Sequence, residues 1–265
     1  MKTDCHIHVR GTEDGKKVLA EMDRKGFGRL VLFGPPRETM KKQKEADDLL
    51  AKICAPDPKR LLAFPWIDPR IRGIAGEIKR CAGKLGCAGF KMIPDHWCPC
   101  DKFMFPVYRT IEALGKPIIF HSGILWGNED SSRFCRPANY EVVIHFPKLT
   151  IALAHISWPW TDECIAVSNR FKFIARDTKR SVPQVLIDTT RGTPPVYRKD
   201  ALAKAVACCG VENLLFGSDG SHAEDLTMSL EHQRLDTEIL AAIGCTREQI
   251  EGYCGSNLDR LFKTS

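Results

Sequence analysis

Two histidines separated by one residue open the sequence, in Thr3-Asp4-Cys5-His6-Ile7-His8-Val9. Side chains alternate along a strand, so His6 and His8 would share a face and could grip one metal ion. The same alternation puts Asp4 with them and Cys5, Ile7 and Val9 on the opposite, apolar face. Further along, His121 closes Ile118-Ile119-Phe120-His121-Ser122, and His155 closes Leu153-Ala154-His155-Ile156-Ser157. Asp219 ends Leu214-Leu215-Phe216-Gly217-Ser218-Asp219-Gly220. A carboxylate at the end of a buried strand needs a partner, which a divalent metal or a protonated histidine supplies. Imidazole and carboxylate ligands suit borderline metals such as zinc. Such an ion lowers the pKa of bound water to about 7 and polarises a carbonyl. Each piece taken singly has a simpler explanation: a partly exposed strand, a structural histidine, or a loop cap at Gly-Ser-Asp-Gly.

Several residues would surround that centre. Lys91 ends Gly89-Phe90-Lys91-Met92 and could pair with Asp219 or with a substrate carboxylate. Asp188, in Leu186-Ile187-Asp188-Thr189-Thr190-Arg191, could anchor His155 or Lys91, or cap a loop. Arg191 is a fixed cation able to take a substrate carboxylate in a bidentate grip, or it is a surface arginine. Trp126, Trp158 and Trp160 follow two of the histidine-bearing runs and could wall a pocket for a planar or apolar substrate. His96, Cys98 and Cys100 alternate in one loop, but no fourth ligand or Cys-x-x-Cys pair accompanies them, so reduced loop thiols are expected.

Eight short apolar runs must position these residues: Thr3–Val9, Arg29–Gly34, Leu61–Ile67, Gly89–Ile93, Lys116–Ser122, Leu149–Ile156, Val185–Thr190 and Asn213–Asp219. They read as buried parallel strands. Between them, apolar residues at three- and four-residue spacing predict helices over Lys16–Lys25, Glu38–Ala55, Ile71–Lys84, Met104–Leu114, Asn139–Phe146, Asp162–Ile174, Lys199–Cys209 and Leu226–Ile243. A last helix is expected over Thr246–Phe262, opened by the capping-box pattern Thr246-Arg-Glu-Gln249. Eight strand–helix units make a (β/α)8 barrel the expected fold, with a doubly wound open sheet as the alternative. No Gly-x-Gly-x-x-Gly follows the first strand, which weakens a dinucleotide-binding fold. In a barrel the chemistry belongs at the C-terminal ends of strands, and His121, His155 and Asp219 fall there.

This ordered set resembles the amidohydrolase superfamily, in its amidohydrolase-related (type 2) branch. The resemblance runs from Thr3 nearly to the C-terminus. It rests on Asp4-x-His6-x-His8, His121, His155, Phe216-Gly-Ser-Asp219 and the closing Asn257-Leu-Asp-Arg260-Leu261-Phe262. The branch includes hydrolases of lactones and amides and non-oxidative decarboxylases of the aminocarboxymuconate-semialdehyde type. The resemblance implies one divalent ion, zinc or alternatively manganese, held by His6, His8, His121 and Asp219. It gives His155 a second role beside the substrate. Some branches of the superfamily bridge two metals with a carboxylated lysine at the position of Lys91. The function expected is hydrolysis of a small carbonyl compound (lactone, amide or related bond), with Asp219 handling the proton. The alternatives are decarboxylation of a small unsaturated or aromatic carboxylate, and non-catalytic binding of a metal or ligand.

Composition limits the rest. The 265 residues suit one barrel domain over 1–265 with little left for a lid, and 43% apolar with 27% charged residues is ordinary globular usage. The net charge of +6 is scattered, which argues against nucleic acid and fits an acidic small-molecule substrate, one bearing a carboxylate. No basic-then-apolar opening and no run near the roughly 18 apolar residues of a membrane helix is present. A cytoplasmic protein is therefore expected, off the membrane, with its twelve cysteines reduced and with Cys81, Cys87, Cys208 and Cys209 acting as core filling. A homo-oligomer is left open.

Overall fold

The structure is a computed structural model that describes residues 1–36, 42–127 and 129–263. Eight parallel strands follow in order: β1 (Lys2–His8), β2 (Phe27–Phe33), β3 (Leu61–Phe64), β4 (Phe90–Met92), β5 (Ile118–Phe120), β6 (Thr150–Leu153), β7 (Gln184–Asp188) and β8 (Leu214–Leu215). Regular ladders join β1-β2-β3 and β4-β5-β6-β7-β8. Two seams complete the ring. Between β3 and β4, Ala88 N–H donates to Ala63 O, Lys91 N–H to Pro65 O and Ile67 N–H to Lys91 O, each at 2.9 Å. Between β8 and β1, Cys5 N–H donates to Phe216 O at 2.9 Å and His8 N–H to Gly220 O at 2.7 Å. The sheet is thus a closed (β/α)8 barrel, and the open-sheet alternative falls.

The helices are α1 (Gly15–Lys25), α2 (Gln43–Cys54), α3 (Ile74–Gly83), α4 (Phe105–Ala113), α5 (Thr161–Thr178), α6 (Pro195–Cys209), α7 (Thr227–Ala242) and α8 (Arg247–Cys254). The start of the helix expected from Glu38 lies outside the described residues. Two other expectations need correction. The segment Pro137–His145 between β5 and β6 is a 3-10 helix, not an α-helix. Its buried residues Pro137, Tyr140 and Val143 recur every third position, the period of that tighter helix. The last helix also stops early. Thr246 and Gln249 form the expected capping box, but α8 ends at Cys254 and Gly255 breaks the chain into a 3-10 helix over Ser256–Phe262. A Cβ on Gly255 would lie 2.4 Å from the carbonyl oxygen of Met1, so only glycine fits where the last turn passes the first strand.

Two apolar layers result. Inside the ring lie Cys5, Val31, Phe33, Phe64, Ile119 and Leu186, with Leu258 and Leu261 of the last 3-10 helix closing the lower end. Asn257 fixes that plug by donating to Val211 O at 2.8 Å and Leu214 O at 2.9 Å. The larger layer, including Ile7, Val9, Leu30, Leu32, Ile118 and Ile187, lies between strands and helices. Cys5 therefore does not share a face with Ile7 and Val9. A register irregularity in β1 between Asp4 and Ile7 resets the alternation, so Cys5 and His6 both face inward while Asp4 turns toward Ser218 and Ser229.

Cys81, Cys87 and Cys209 act as core filling, as expected, and Cys5, Cys54, Cys135 and Cys164 are buried too, whereas Cys208, on the outer side of α6, is exposed and fills no core. Cys81 adds a polar contact, donating to Asp47 Oδ2 at 3.5 Å between α3 and α2. Burial and the neighbouring Glu77 push the Asp47 carboxyl up to about 8. An acid whose folded pKa lies above its unfolded value, about 3.9, stabilises the fold most at low pH and loses that contribution as pH rises toward the folded pKa. The melting temperature of the wild type should therefore carry a falling component between about pH 4 and 8. Asp47→Asn should remove that component, because an amide still accepts from Gln43 Nε2 and donates toward Glu77. Parallel melting curves of the two proteins across this range test it; identical pH dependence would show that Asp47 does not titrate there.

Candidate metal centre

The upper rim of the barrel collects the histidines. His6 Nδ1 lies 2.6 Å from Asp188 Oδ2, at the end of β7, and both groups are buried. A carboxylate only accepts, so Nδ1 carries the proton and Nε2 presents a lone pair. Lys91 Nζ donates to that Nε2 at 3.3 Å and lies 4.5 Å from the centroid of the Phe33 ring. Asp219 Oδ1 stands 3.3 Å from His6 Nε2 and 3.6 Å from His8 Nε2. One ligand atom each from His6, His8 and Asp219 lies within 4.8 Å of the others.

A second pair is built by the same logic. His155 Nδ1 donates to Arg191 O at 2.5 Å, and His121 Nε2 donates to Ile124 O at 3.1 Å. Both imidazoles have then committed their single proton. Yet His155 Nε2 and His121 Nδ1 face each other at 3.1 Å. Two lone pairs at that distance repel unless a proton or a cation joins them. The Asp219 carboxylate facing His6 Nε2 and His8 Nε2 poses a related demand for a cation, which the Lys91 ammonium meets in part, at His6 Nε2. A divalent ion resolves it with neutral imidazoles, and these donors are the imidazoles and carboxylate that zinc and manganese take.

The electrostatics agree. Burial, reinforced by Lys91, holds His6 well below the ordinary histidine range and His8 down to about 4. Burial and the charge of His155 lower His121. Burial alone would raise Asp219, but His6, His155, His8 and Lys91 outweigh it and keep the carboxyl below its usual value. Lys91 itself is lowered to about 8 by burial, against the pull of Asp188 and Asp219. The centre thus offers neutral imidazoles and an ionised carboxylate, the protonation state metal ligands require.

The backbone around it departs from regular structure. His155, Ile156 and Ser157 take φ of 63°, 47° and 54°, and Asp219 takes 62°. Left-handed backbone is costly for a β-branched residue such as Ile156 and persists only where the surroundings impose it. Here the loop after β7 imposes it. Thr193 Oγ1 donates to His155 O at 3.1 Å, Arg191 O receives the ring, and Gly192 passes so close that a Cβ would sit 2.8 Å from His155 Cβ. Asp4 ties the opposite side, accepting at Oδ1 from His6 N–H at 3.0 Å and Ser218 N–H at 3.1 Å. It therefore fixes β1 against the Asp219 loop from behind, off the face it was expected to share with His6.

Gly217 is part of the same close packing. A Cβ there would meet Thr190 Oγ1 at 2.3 Å, His6 Cβ at 2.7 Å and Asp188 Oδ1 at 3.0 Å. Gly217→Ala should destabilise the fold by about 1–3 kcal/mol and weaken metal binding, because the displaced atoms belong to His6 and its orienting carboxylate. Denaturant unfolding with a metal titration checks both; unchanged metal affinity would show that the clash relaxes away from His6.

A cavity of about 490 Å³ opens above the centre, walled by His8, His121, His155, Asp219, Trp158 and Arg191 among others. Trp126 is 79% exposed on its rim, its ring 6.3 Å from that of Trp158 and tilted by only 10°. Trp160 lines none of it and lies near Arg136. Asp188 anchors His6, a partner the sequence reading did not assign. His96 pairs with Asp95 and lies 3.5 Å from Asp68, while Cys98 and Cys100 contact each other, so that loop forms no metal-ligand group among the described residues. Met228, Leu125 and Gly192 also line the cavity and carry no sequence signal of it.

The amidohydrolase family model Amidohydro_2 matches residues 3–264. The chain belongs to this amidohydrolase family. Among curated proteins it has no match. It is similar in structure to 2,6-dihydroxybenzoate decarboxylase complexed with 2,6-dihydroxybenzoate, at 17% identity and TM-score 0.69 over 98% of both chains. It also resembles 5-carboxyvanillate decarboxylase from Novosphingobium aromaticivorans, complexed with manganese and 4-hydroxy-3-methoxy-5-nitrobenzoic acid (14% identity, TM-score 0.66, 99% of this chain and 96% of that one). A third is a probable 2-pyrone-4,6-dicarboxylic acid hydrolase from Acinetobacter baumannii with citric acid bound (12%, TM-score 0.65, 98% of both). Enzymes of this amidohydrolase branch use a divalent metal. No described helix of this amidohydrolase is long and apolar enough to cross a membrane.

Proposed function

We propose that this amidohydrolase hydrolyses a small carbonyl compound bearing a carboxylate, with one divalent ion, zinc or manganese, held by His6, His8, His121 and Asp219. The observation that carries this is the convergence on one rim of ligand atoms from His6, His8 and Asp219, within 4.8 Å of one another, beside the lone-pair conflict of His155 Nε2 against His121 Nδ1, which a cation removes. When bound, such an ion acidifies water and polarises a carbonyl.

The chain's own groups supply the rest. Asp219 is ionised, 39% exposed toward the cavity, and able to accept a proton from a water and return it to the leaving group. With Nδ1 locked on Arg191 O, His155 presents Nε2 toward the centre, where it orients water or the reacting oxygen. Among the described residues nothing pairs with the Arg191 guanidinium, which lines the cavity and would take the substrate carboxylate. Trp158 and Trp126 offer flat apolar walls to a planar body. Lys91, buried on His6, stays a positioning cation for a one-ion centre.

Decarboxylation of an aromatic carboxylate is the second reading. The parallel tryptophan rings in the cavity that Arg191 also lines favour it, as do the two decarboxylase relatives. Metal analysis coupled to a screen of lactones, amides and aromatic carboxylates tests both. One equivalent of metal per chain and water-dependent turnover without carbon dioxide are expected. Carbon dioxide release would replace hydrolysis with the second reading. Two equivalents of metal would overturn the one-ion centre, and ligand binding without any product would make the protein a binder.

A further inference from the structure

A second cavity, of about 640 Å³, opens beside the lower end of the barrel, between the C-terminal half of α5, the start of β7 and the final 3-10 helix. Five cationic side chains line it (Lys172, Lys179, Arg180, Arg260 and Lys263) and, among the described residues, no carboxylate does. That is unusual for this chain, whose other basic residues repeatedly pair with acids, as Arg60 does with Asp23, Arg170 with Glu141 and Arg198 with Asp236. Lys179, Arg180 and Lys263 form no ion pair among the described residues. Lys172 lies 3.9 Å from Glu212, and its Nζ donates to Cys209 O at 2.7 Å. Arg260 donates through Nη2 to Asn213 Oδ1 at 3.0 Å, while its Nε is buried with no partner among the described residues. Convergent cations repel one another, and a multivalent anion relieves that repulsion. The opposite wall is apolar, with Phe171 and Val185 buried and Val182 beside them. The volume is that of a small-molecule site, about 300–1,000 Å³.

We propose that this basal cavity binds a small organic phosphate of the nucleotide type, its ring on Phe171 and Val182 and its phosphates among Lys179, Arg180, Arg260 and Lys263. It lies on the face of the barrel away from the metal centre, so ligand and substrate would bind together. An isolated pocket with an apolar wall suits this class better than a nucleic-acid strand, which needs an extended basic track.

Calorimetric titration of the metal-loaded protein at physiological salt with ATP, tripolyphosphate and a short single-stranded RNA tests the assignment. ATP should bind, more tightly than tripolyphosphate, and its affinity should fall as salt rises. Arg180→Ala combined with Lys263→Ala should reduce ATP affinity about tenfold or more, at about 1.4 kcal/mol per tenfold, with an unchanged melting temperature. Absence of ATP binding overturns the proposal, as does ATP affinity unaltered in the double variant, which would place the nucleotide elsewhere, the metal centre included. Tripolyphosphate binding as tightly as ATP removes the ring from the assignment, and RNA binding more tightly than ATP replaces the pocket with a strand-binding face.

Discussion

Asp219→Ala is expected to lower kcat by about 10³-fold or more on any substrate the enzyme turns over, within or above the range set by a positioned proton-transfer group. Two losses combine. The variant removes the carboxylate that, alone among the described residues, reaches both His6 Nε2 and His8 Nε2, so metal occupancy should fall below one per chain. It also removes the ionised group facing the cavity. Asp219→Asn separates the two, because an amide oxygen still approaches the ion but takes up no proton at neutral pH. Restored metal content without restored turnover would assign Asp219 a proton-transfer role. Wild-type turnover in either variant would remove Asp219 from the mechanism altogether. The left-handed backbone at this position, φ 62°, is one that aspartate and asparagine tolerate better than alanine, so melting curves must accompany the kinetics.

The second large effect is expected at Asp188. Its carboxylate receives the His6 proton at 2.6 Å and is held in turn by the Thr190 N–H at 2.8 Å and the Thr190 hydroxyl. Without it, His6 loses the partner that selects its tautomer and aims Nε2 at the centre. Asp188→Ala should weaken metal affinity by about 10–100-fold, the range found when a carboxylate behind a ligating histidine is removed. Asp188→Asn keeps an oxygen acceptor for Nδ1 and should recover part of the loss. That partial rescue, read by metal titration against a competing chelator, distinguishes orientation of His6 from simple destabilisation. Equal affinity in wild type and Asp188→Ala would show that Phe33 and Lys91 hold the ring unaided.

The barrel was legible from periodicity because its strands are buried on both sides and read as apolar runs. The residues ending three of those runs, His121, His155 and Asp219, do converge with His6 and His8 on one rim. What stayed illegible depends on local departures from regular geometry. The irregularity in β1 cannot be seen in an alternating pattern, so Asp4 was assigned to the metal face when it lies behind it, bridging His6 and Ser218. The left-handed run at His155–Ser157 holds neither glycine nor asparagine and includes the β-branched Ile156, so the local sequence does not announce it. Gly192 and Gly217 matter through what a Cβ would strike across the barrel, and no local sequence window contains that. The 3-10 segment over Pro137–His145 was mistaken for an α-helix because apolar residues at spacing three fit both periods over one or two turns.

The seam between β8 and β1 bears on how the molecule comes into being. His6 and His8 are made more than two hundred residues before Asp219, and the hydrogen bonds from Cys5 to Phe216 and from His8 to Gly220 bring them together. No contiguous half of the chain contains the centre. Contacts this distant in sequence are slow to form and must wait for the chain between them. Metal capture should therefore be among the last events of maturation. A nascent chain would carry two idle imidazoles until Asp219 is made, and the ion would act as a latch on a finished ring in preference to a nucleus around which one grows.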